Sequence, residues 1–393
     1  MTMSNSSKCS EEQSPRYPFL DLAAVNAPCA GRLAEAACRV IESGRYIGGE
    51  EVEAFEGELA ALAGTDCAVG TGNGYDALRL ILRAWVEMGR LQPGDEVIVP
   101  AHTFIASVLA VSDASLVPVP VDADPLTMNL DTSLVEAALT SRTRAIMPVH
   151  LYGRVCWDDT LASLAASRGL LVVEDCAQAI GARSAVAGLS GSCRAGALGH
   201  ASAISFYPTK NVGALGDAGA VLTSDRELAA TVRALANYGS DRRYHNIYAG
   251  VNSRLDPIQA AMLRVKLSCV AEENAARFAR AMAYERTICR ADLVRPLMSD
   301  SVTDCVWHQY VVRFTGPSRD LFRRRLLEAG VATDVHYPVP PHLQPCYARR
   351  QLARTPLPVA ESICRQAVSL PIAGALTVAD TAAIARIIND LEI

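Results

Sequence analysis

The stretch Ser205-Phe206-Tyr207-Pro208-Thr209-Lys210-Asn211-Val212-Gly213-Ala214-Leu215-Gly216-Asp217-Ala218-Gly219-Ala220-Val221 sets a single lysine in an apolar, glycine-punctuated run. Apolar residues lead up to Tyr207, Pro208 follows, and Gly213, Gly216 and Gly219 come after. Lys210 therefore reads as lying in a tight turn after a strand, not on a solvated helix face. A free lysine has a pKa of about 10.4, so roughly one in a few thousand is the neutral amine at pH 7. Burial lowers that value, and a partly buried lysine serves as a general base or forms an imine with a carbonyl cofactor. The structural alternative is a buried, ion-paired lysine, and the flanking segments bear on the choice.

Upstream lies Gly169-Leu170-Leu171-Val172-Val173-Glu174-Asp175-Cys176-Ala177-Gln178-Ala179. Its apolar run ending in two carboxylates predicts a buried parallel strand that delivers Asp175 at its C-terminal end, the edge where α/β proteins bind ligands. A carboxylate there needs a cationic partner, and the pyridinium nitrogen of pyridoxal phosphate is one. Further upstream, Gly70-Thr71-Gly72-Asn73-Gly74-Tyr75-Asp76 opens an amphipathic helix. Free N–H groups at a helix start bind phosphate, and glycines let the backbone approach it. The spacing is not that of a dinucleotide loop and no P-loop lysine is present, which leaves an anchor for one monophosphate.

Between Asp95 and Ala187, short apolar runs (Glu96–Val99, Val117–Val121, Ala145–Val149, Leu170–Val173) alternate with helical segments (Ser133–Leu139, Asp159–Ser167). This predicts a mostly parallel α/β sheet with crossover helices. Phe19–Ala63 reads as helical, interrupted at Gly44–Gly49. Arg226–Tyr238 and a long segment from Asp256 through Ala281 read as further helices. In the last part, Val306–Phe314 and Ala332–Tyr337 look like strands, and Leu321–Ala329 and Thr377–Leu391 like helices. The expected organisation is a tail over residues 1–16, a large domain over 17–262 and a smaller α+β domain over 263–393. His150, after a predicted strand, is either a core histidine or a residue that orients ligand.

The chain has 393 residues, half of them hydrophobic, enough for a large core. A net charge of −5 with dispersed basic residues gives neither a nucleic-acid footprint nor a polybasic membrane patch. Met1–Arg16 is polar and reads as a flexible tail, not a signal peptide or anchor. No apolar run reaches the roughly 18 residues needed to span a bilayer, so a soluble protein is expected. The 12 cysteines show no Cys-x-x-Cys pair and no spacing shared with histidines. They are expected to be reduced thiols of a cytoplasmic protein without a metal site, Cys176 being a small packing residue.

These three segments, with Pro100-Ala101-His102-Thr103-Phe104-Ile105-Ala106-Ser107, Pro148-Val149-His150-Leu151-Tyr152-Gly153 and Asn252-Ser253-Arg254-Leu255-Asp256-Pro257-Ile258-Gln259-Ala260, resemble the DegT/DnrJ/EryC1/StrS family of sugar aminotransferases. The matching motifs run in order from Pro18 to Tyr347. The segment His336-Tyr337-Pro338-Val339-Pro340-Pro341-His342-Leu343-Gln344-Pro345 further resembles the branch acting on dTDP-3-keto-6-deoxyhexoses. The resemblance implies an aspartate-aminotransferase-like fold (fold type I), pyridoxal phosphate as cofactor, and a homodimer with shared active sites. It implies amino transfer from L-glutamate to a nucleotide-linked, dTDP-type keto-deoxysugar at C3. Carried onto this sequence, Lys210 binds the cofactor covalently and moves the proton, and Asp175 holds the ring nitrogen. Gln178 contacts the 3-hydroxyl, Phe104 stacks on the ring, and Ser205, Gly74 and Tyr75 hold the phosphate. Asn252 reaches the phosphate of the other subunit, and Tyr207, His336, Tyr337 and Tyr46 are the implied substrate contacts. Gly199-His200 stands where the family commonly has Gly-Asp, and Thr209 where glycine is frequent; Ala185–Leu198 is more irregular than usual. Two alternatives remain open, a related dehydratase or aromatising enzyme and a non-catalytic cofactor-binding regulator. Lys210 excludes the dehydratases that carry histidine at this position.

Overall fold

A computed structural model describes residues 15–298 and 303–393, so all of the expected tail except Pro15 and Arg16 lies outside the described residues. Helices α1 (Leu22–Asn26), α2 (Ala30–Ser43) and α3 (Glu50–Ala63) come first, and the expected loop separates α2 from α3. Helix α2 stops at Gly44, whose φ of 64° lies in the left-handed region that a side chain disfavours. There follow β1 (Cys67–Thr71), α4 (Gly74–Glu87), β2 (Glu96–Pro100), α5 (Ile105–Asp113), β3 (Val117–Val121), α6 (Val135–Ala138) and β4 (Thr143–Ile146). Helix α7 (Asp159–Arg168), β5 (Leu171–Asp175), β6 (Ala201–Ser205) and β7 (Gly219–Thr223) complete a seven-stranded sheet of order β1-β7-β6-β5-β4-β2-β3. Strands β3, β2, β4, β5 and β6 run parallel, and β7 runs antiparallel to both of its neighbours.

Both faces of this sheet are covered, which is why its strands read as continuous apolar runs. Val97, Val99 and Val173 pack with Leu78, Ile81 and Trp85 of α4 on one face. Ile98, Ile146 and Val172, one residue out of step, pack with Trp157 and Leu161 on the other.

Helix α8 (Arg226–Ala236) leads to a short hairpin, β8 (Ser240–Arg242) and β9 (His245–Asn246), and then to α9 (Pro257–Leu267) and α10 (Val270–Thr287). Strands β10 (Leu293–Val294), β11 (Tyr310–Phe314) and β12 (Ala367–Leu370) form a separate antiparallel sheet with α11 (Arg319–Glu328), α12 (Pro358–Gln366) and α13 (Val378–Asp390) around it. Its core contains Tyr310, Phe314, Phe322 and Ile384, and also Tyr17 from the start of the described chain.

Four expectations are corrected. The helix expected from Asp256 through Ala281 is two helices, because the chain leaves the helical path at Cys269 (φ −109°, ψ 4°), next to Ser268, whose hydroxyl donates to Val265 O (2.8 Å). The strand expected at Val306–Phe314 begins only at Tyr310, because Trp307 has a φ of 49°. Ala332–Tyr337 contributes one bridge, Asp334 to Ser369, and no strand. The helix expected at Ser133–Leu139 is a 3₁₀ turn, Thr132–Leu134, followed by the four-residue α6.

Successive residues on a strand point to opposite faces, so Asp175 and Glu174 diverge at the end of β5. Glu174 is fully buried and accepts from the backbone N–H of Gly196 (2.9 Å), Leu198 (2.8 Å) and Gly199 (2.9 Å) and from His150 Nε2 (2.9 Å). It is the anchor of an irregular segment that makes little other regular structure. Glu174→Gln keeps the volume and removes the charge from a buried acceptor of several hydrogen bonds. The expected cost is about 2 kcal/mol or more of stability, read by denaturant unfolding. An unchanged midpoint would remove Glu174 from this role.

Candidate active site

The glycine loop before α4 and the C-terminal ends of β5 and β6 open onto a cavity of about 550 Å³. Asp175, Lys210, Gly74, Tyr75, Phe104, Gln178, Ser205, Tyr207, His336 and Tyr337 all line it. Tyr46 does not: it stands on the loop between α2 and α3, 57 % exposed, its hydroxyl donating to Ile41 O (3.1 Å). Asn252 is exposed as well and meets Asn237 through the backbone, outside the cavity of its own chain. A larger depression of about 690 Å³ between α2, α3 and α9 is walled by charged groups such as the ion-paired Arg264 and Glu58 and by no lysine.

Lys210 sits in a turn in which its own N–H donates to Tyr207 O (2.9 Å) and Ala214 N–H returns to Phe206 O (2.8 Å). Burial lowers the pKa of its amine to about 8, against the opposing attraction of Asp175. About one amine in ten is then neutral at pH 7, a gain of two orders of magnitude over a free lysine. Desolvation outweighs the carboxylate, and a usable nucleophile results.

Asp175 is buried. Its Oδ2 accepts from Ser107 Oγ (2.8 Å) and its Oδ1 from Ala177 N (3.1 Å). Because the Ser107 proton goes to the carboxylate, Thr103 Oγ1 (3.0 Å) donates in turn to Ser107. These donors fix the orientation of the carboxylate, which lines the cavity. Gln178 accepts from Tyr152 N (2.5 Å) and donates through Nε2 to Tyr337 Oη (3.1 Å), which fixes its amide. Phe104, half exposed, lies 5.3 Å from the Tyr337 ring, so the cavity has an aromatic wall.

The residues present fit pyridoxal phosphate. Asn73 caps α4 by accepting from Asp76 N (2.8 Å), while the N–H groups of Gly74 and Tyr75 find no acceptor among the described residues. Two donors and the positive end of a helix dipole therefore face the cavity beside the Ser205 hydroxyl. A Cβ on Gly74 would stand 2.6 Å from the Ser205 Cβ, so the loop and β6 meet here only because that side chain is missing.

His150 is not at the cavity. Its Nδ1 accepts from Cys156 N (3.0 Å), so Nε2 carries the proton donated to Glu174. His150, Glu174 and Cys176 bring their possible ligand atoms within 4.8 Å of one another, yet these hydrogen bonds already use the imidazole and the carboxylate. The cluster is a structural network, and burial with the neighbouring carboxylates raises the Cys176 thiol well above its usual range.

Sequence reasoning missed Ser107 and Thr103 as partners of Asp175, and His308, Gln309 and Thr209 as cavity walls. A polar His-Gln pair inside the apolar run Val306–Phe314 was the available signal.

Residues 30–390 match the model of the DegT/DnrJ/EryC1/StrS aminotransferase family. The chain is 47 % identical to dTDP-3-amino-3,4,6-trideoxy-alpha-D-glucose transaminase of Streptomyces venezuelae, over 92 % of this chain and 93 % of that protein. It is 42 % identical to dTDP-3-amino-3,6-dideoxy-alpha-D-galactopyranose transaminase of Aneurinibacillus thermoaerophilus, over 95 % and 98 %. Among solved structures, the crystal structure of S. venezuelae DesV in complex with a ketimine intermediate superposes with a TM-score of 0.89 at 45 % identity, covering 96 % of this chain and 98 % of that one.

A lysine whose folded pKa is about 8, against about 10.4 unfolded, binds fewer protons in the folded state between those values. Stability of the cofactor-free protein is therefore reduced below pH 8 and is regained as pH rises from 8 toward 10. Lys210→Met should stabilise the cofactor-free protein at pH 7 by up to about 3 kcal/mol, and the advantage should shrink across that window. Urea midpoints at several pH values check this, and a pH-independent difference would contradict the depressed amine.

Proposed function

The chain belongs to the DegT/DnrJ/EryC1/StrS aminotransferase family, and we propose that it moves the amino group of L-glutamate to the C3 keto group of a dTDP-linked keto-deoxyhexose in amino-sugar biosynthesis. The observation that carries this reading is the pairing of Lys210, its amine lowered to about pKa 8, with Asp175 in one cavity of about 550 Å³. The names of the two transaminases similar to this chain support the dTDP-sugar acceptor.

Pyridoxal phosphate, when bound, supplies the electron sink that lets the α-C–H bond of an amino acid break. Gly74 and Tyr75 N–H with Ser205 would hold its phosphate, Asp175 its ring nitrogen, Gln178 its hydroxyl, and Phe104 the flat face of its ring. Lys210 Nζ would anchor the group and, as a free amine, would take the proton from the donor's α-carbon and hold it for return. A pKa near the working pH suits it to both tasks. Asp175, oriented by the Ser107 and Ala177 donors, would face the ring nitrogen and favour its protonated form. Tyr337, His336 and Tyr207 line the acceptor side, where the sugar would lie.

Adding L-glutamate to the loaded protein should convert the cofactor absorbance to the pyridoxamine form with release of 2-oxoglutarate. A dTDP-3-keto-deoxyhexose should then restore the original spectrum and yield the 3-amino sugar. A regulator that merely binds the cofactor would show neither change. Asp175→Asn should still bind the cofactor, yet exchange the α-proton of glutamate about 10²-fold or more slowly. Parental exchange by that variant would remove Asp175 from the ring nitrogen.

Asn252 lies outside its own chain's cavity, which supports a homodimer in which it serves the partner's phosphate. Mixing Lys210→Ala chains with chains in which Asn252 and Arg254 are both alanine should restore activity once subunits exchange. One site of the mixed dimer then holds an intact lysine and an intact asparagine. No recovery in mixed dimers confirmed by mass would mean that Asn252 does not serve the neighbouring site.

A further inference from the structure

The segment Cys305–Gln309, just before β11, is held against the main cavity from several sides. Val306 N donates to Gly153 O (2.9 Å), and Arg277 Nη1 donates to the carbonyls of Trp307 (3.3 Å) and His308 (3.2 Å). Gly153 lies so close that a Cβ there would be 2.9 Å from His308 N. His308 itself is more than nine-tenths buried and lines the same cavity as Lys210.

Its tautomer can be read from the residue that follows the lysine. Asn274 Nδ2 donates to Ile180 O (3.0 Å), so Asn274 Oδ1 is an acceptor. Asn211 Nδ2 donates to that oxygen (3.0 Å) and to Val306 O (3.1 Å), so Asn211 Oδ1 is an acceptor as well. His308 Nδ1 stands 3.0 Å from Asn211 Oδ1 and must carry the proton. Backbone carbonyls cannot donate, so the direction of the relay is fixed. Nε2 is left as an unprotonated lone pair with no partner among the described residues.

We propose that His308 is a positioning residue for the transamination, its Nε2 receiving a hydrogen bond from the Lys210 amine once that amine is released from the bound cofactor and so aiming Nζ at the reacting carbon. The role rests on the reading that Lys210 moves the proton. It requires a neutral imidazole at every working pH, and the surroundings supply one. Burial, and after it Lys210, Arg277 and His336, hold the imidazole well below its usual range. Glu273 pairs with Arg277 (3.0 Å) from α10, Asp334 lies 3.7 Å from His336 Nε2, and Asp175 faces Lys210 across the cavity. The nearby carboxylates are thus each engaged with another group.

Nitrogen NMR of the cofactor-free protein, with the His308 signals assigned by their loss in His308→Gln, should show a neutral Nδ1–H imidazole across roughly pH 6 to 9. An Nε2–H tautomer, or protonation near pH 6.5, would overturn the proposal. In the holoenzyme, Asn211→Asp keeps an acceptor at Nδ1 but adds a charge that raises the imidazole pKa. Below the new pKa, Nε2 is protonated and can no longer accept. Exchange of the glutamate α-proton should therefore fall about tenfold per pH unit on the acid side, relative to the parent, and recover toward parental rates above it. A loss equal at all pH values, or an unchanged profile, would make the contact merely structural. A parent that exchanges no α-proton would overturn the transaminase reading itself, while the NMR result would still report the tautomer.

Discussion

Strand β5 ends in two carboxylates that the pleat sends to opposite faces, and the cavity depends on the one that does not enter it. Glu174 is a buried charge, which is costly unless every lone pair finds a donor. Three backbone N–H groups from a segment without helix or strand supply those donors, and the imidazole of His150 supplies a fourth. The irregular run between β5 and β6 is thereby folded onto the underside of the sheet, and the end of β5 is held in place. Asp175, the next residue, inherits a fixed position above it. What the sequence presents as an irregular stretch over Ala185–Leu198 is a wrapping around one side chain.

Above the sheet, two electrostatic demands oppose each other at Lys210. Burial favours the neutral amine, and Asp175 favours the ammonium. Burial wins by enough to bring the amine near physiological pH without discharging it altogether. The carboxylate would pull harder if it were free, but Ser107 and the Ala177 amide already engage both of its oxygens.

Much of this was legible locally. A strand ending in Glu174-Asp175 and a lysine in a glycine-rich turn announce themselves because each depends on near neighbours in sequence. The glycine loop before α4 did so for the same reason, and Phe104, Gln178, Ser205, Tyr207, His336 and Tyr337 line the cavity with it. The misreadings arose where distant residues override local preference. Trp307 takes a left-handed φ because the chain must pass Gly153, and Cys269 interrupts a pattern that is otherwise continuous and helical. His150 read as either a core histidine or a ligand-orienting one, and the core reading holds, Glu174 and Cys156 N occupying both ring nitrogens. His308 read as part of a strand, since its partner Asn211 lies 97 residues away. Tyr46 and Asn252 stand outside the cavity of their own chain, so their expected roles rest on the family resemblance.

The contacts at the glycines bear on how this sequence can drift. A Cβ on Gly219 would fall 2.3 Å from the backbone of Asn73, and one on Gly74 would strike the backbone of Ser205 at 2.9 Å. Neither neighbour is the flexible end of a side chain that could swing aside. Substitution at these places would push the glycine loop before α4 away from the lysine turn, whatever the new residue's polarity. The aromatic rim around Phe104 and Tyr207 is half exposed and has room to change. Variation in the acceptor should therefore accumulate at the mouth, while the floor changes only by losing the reaction.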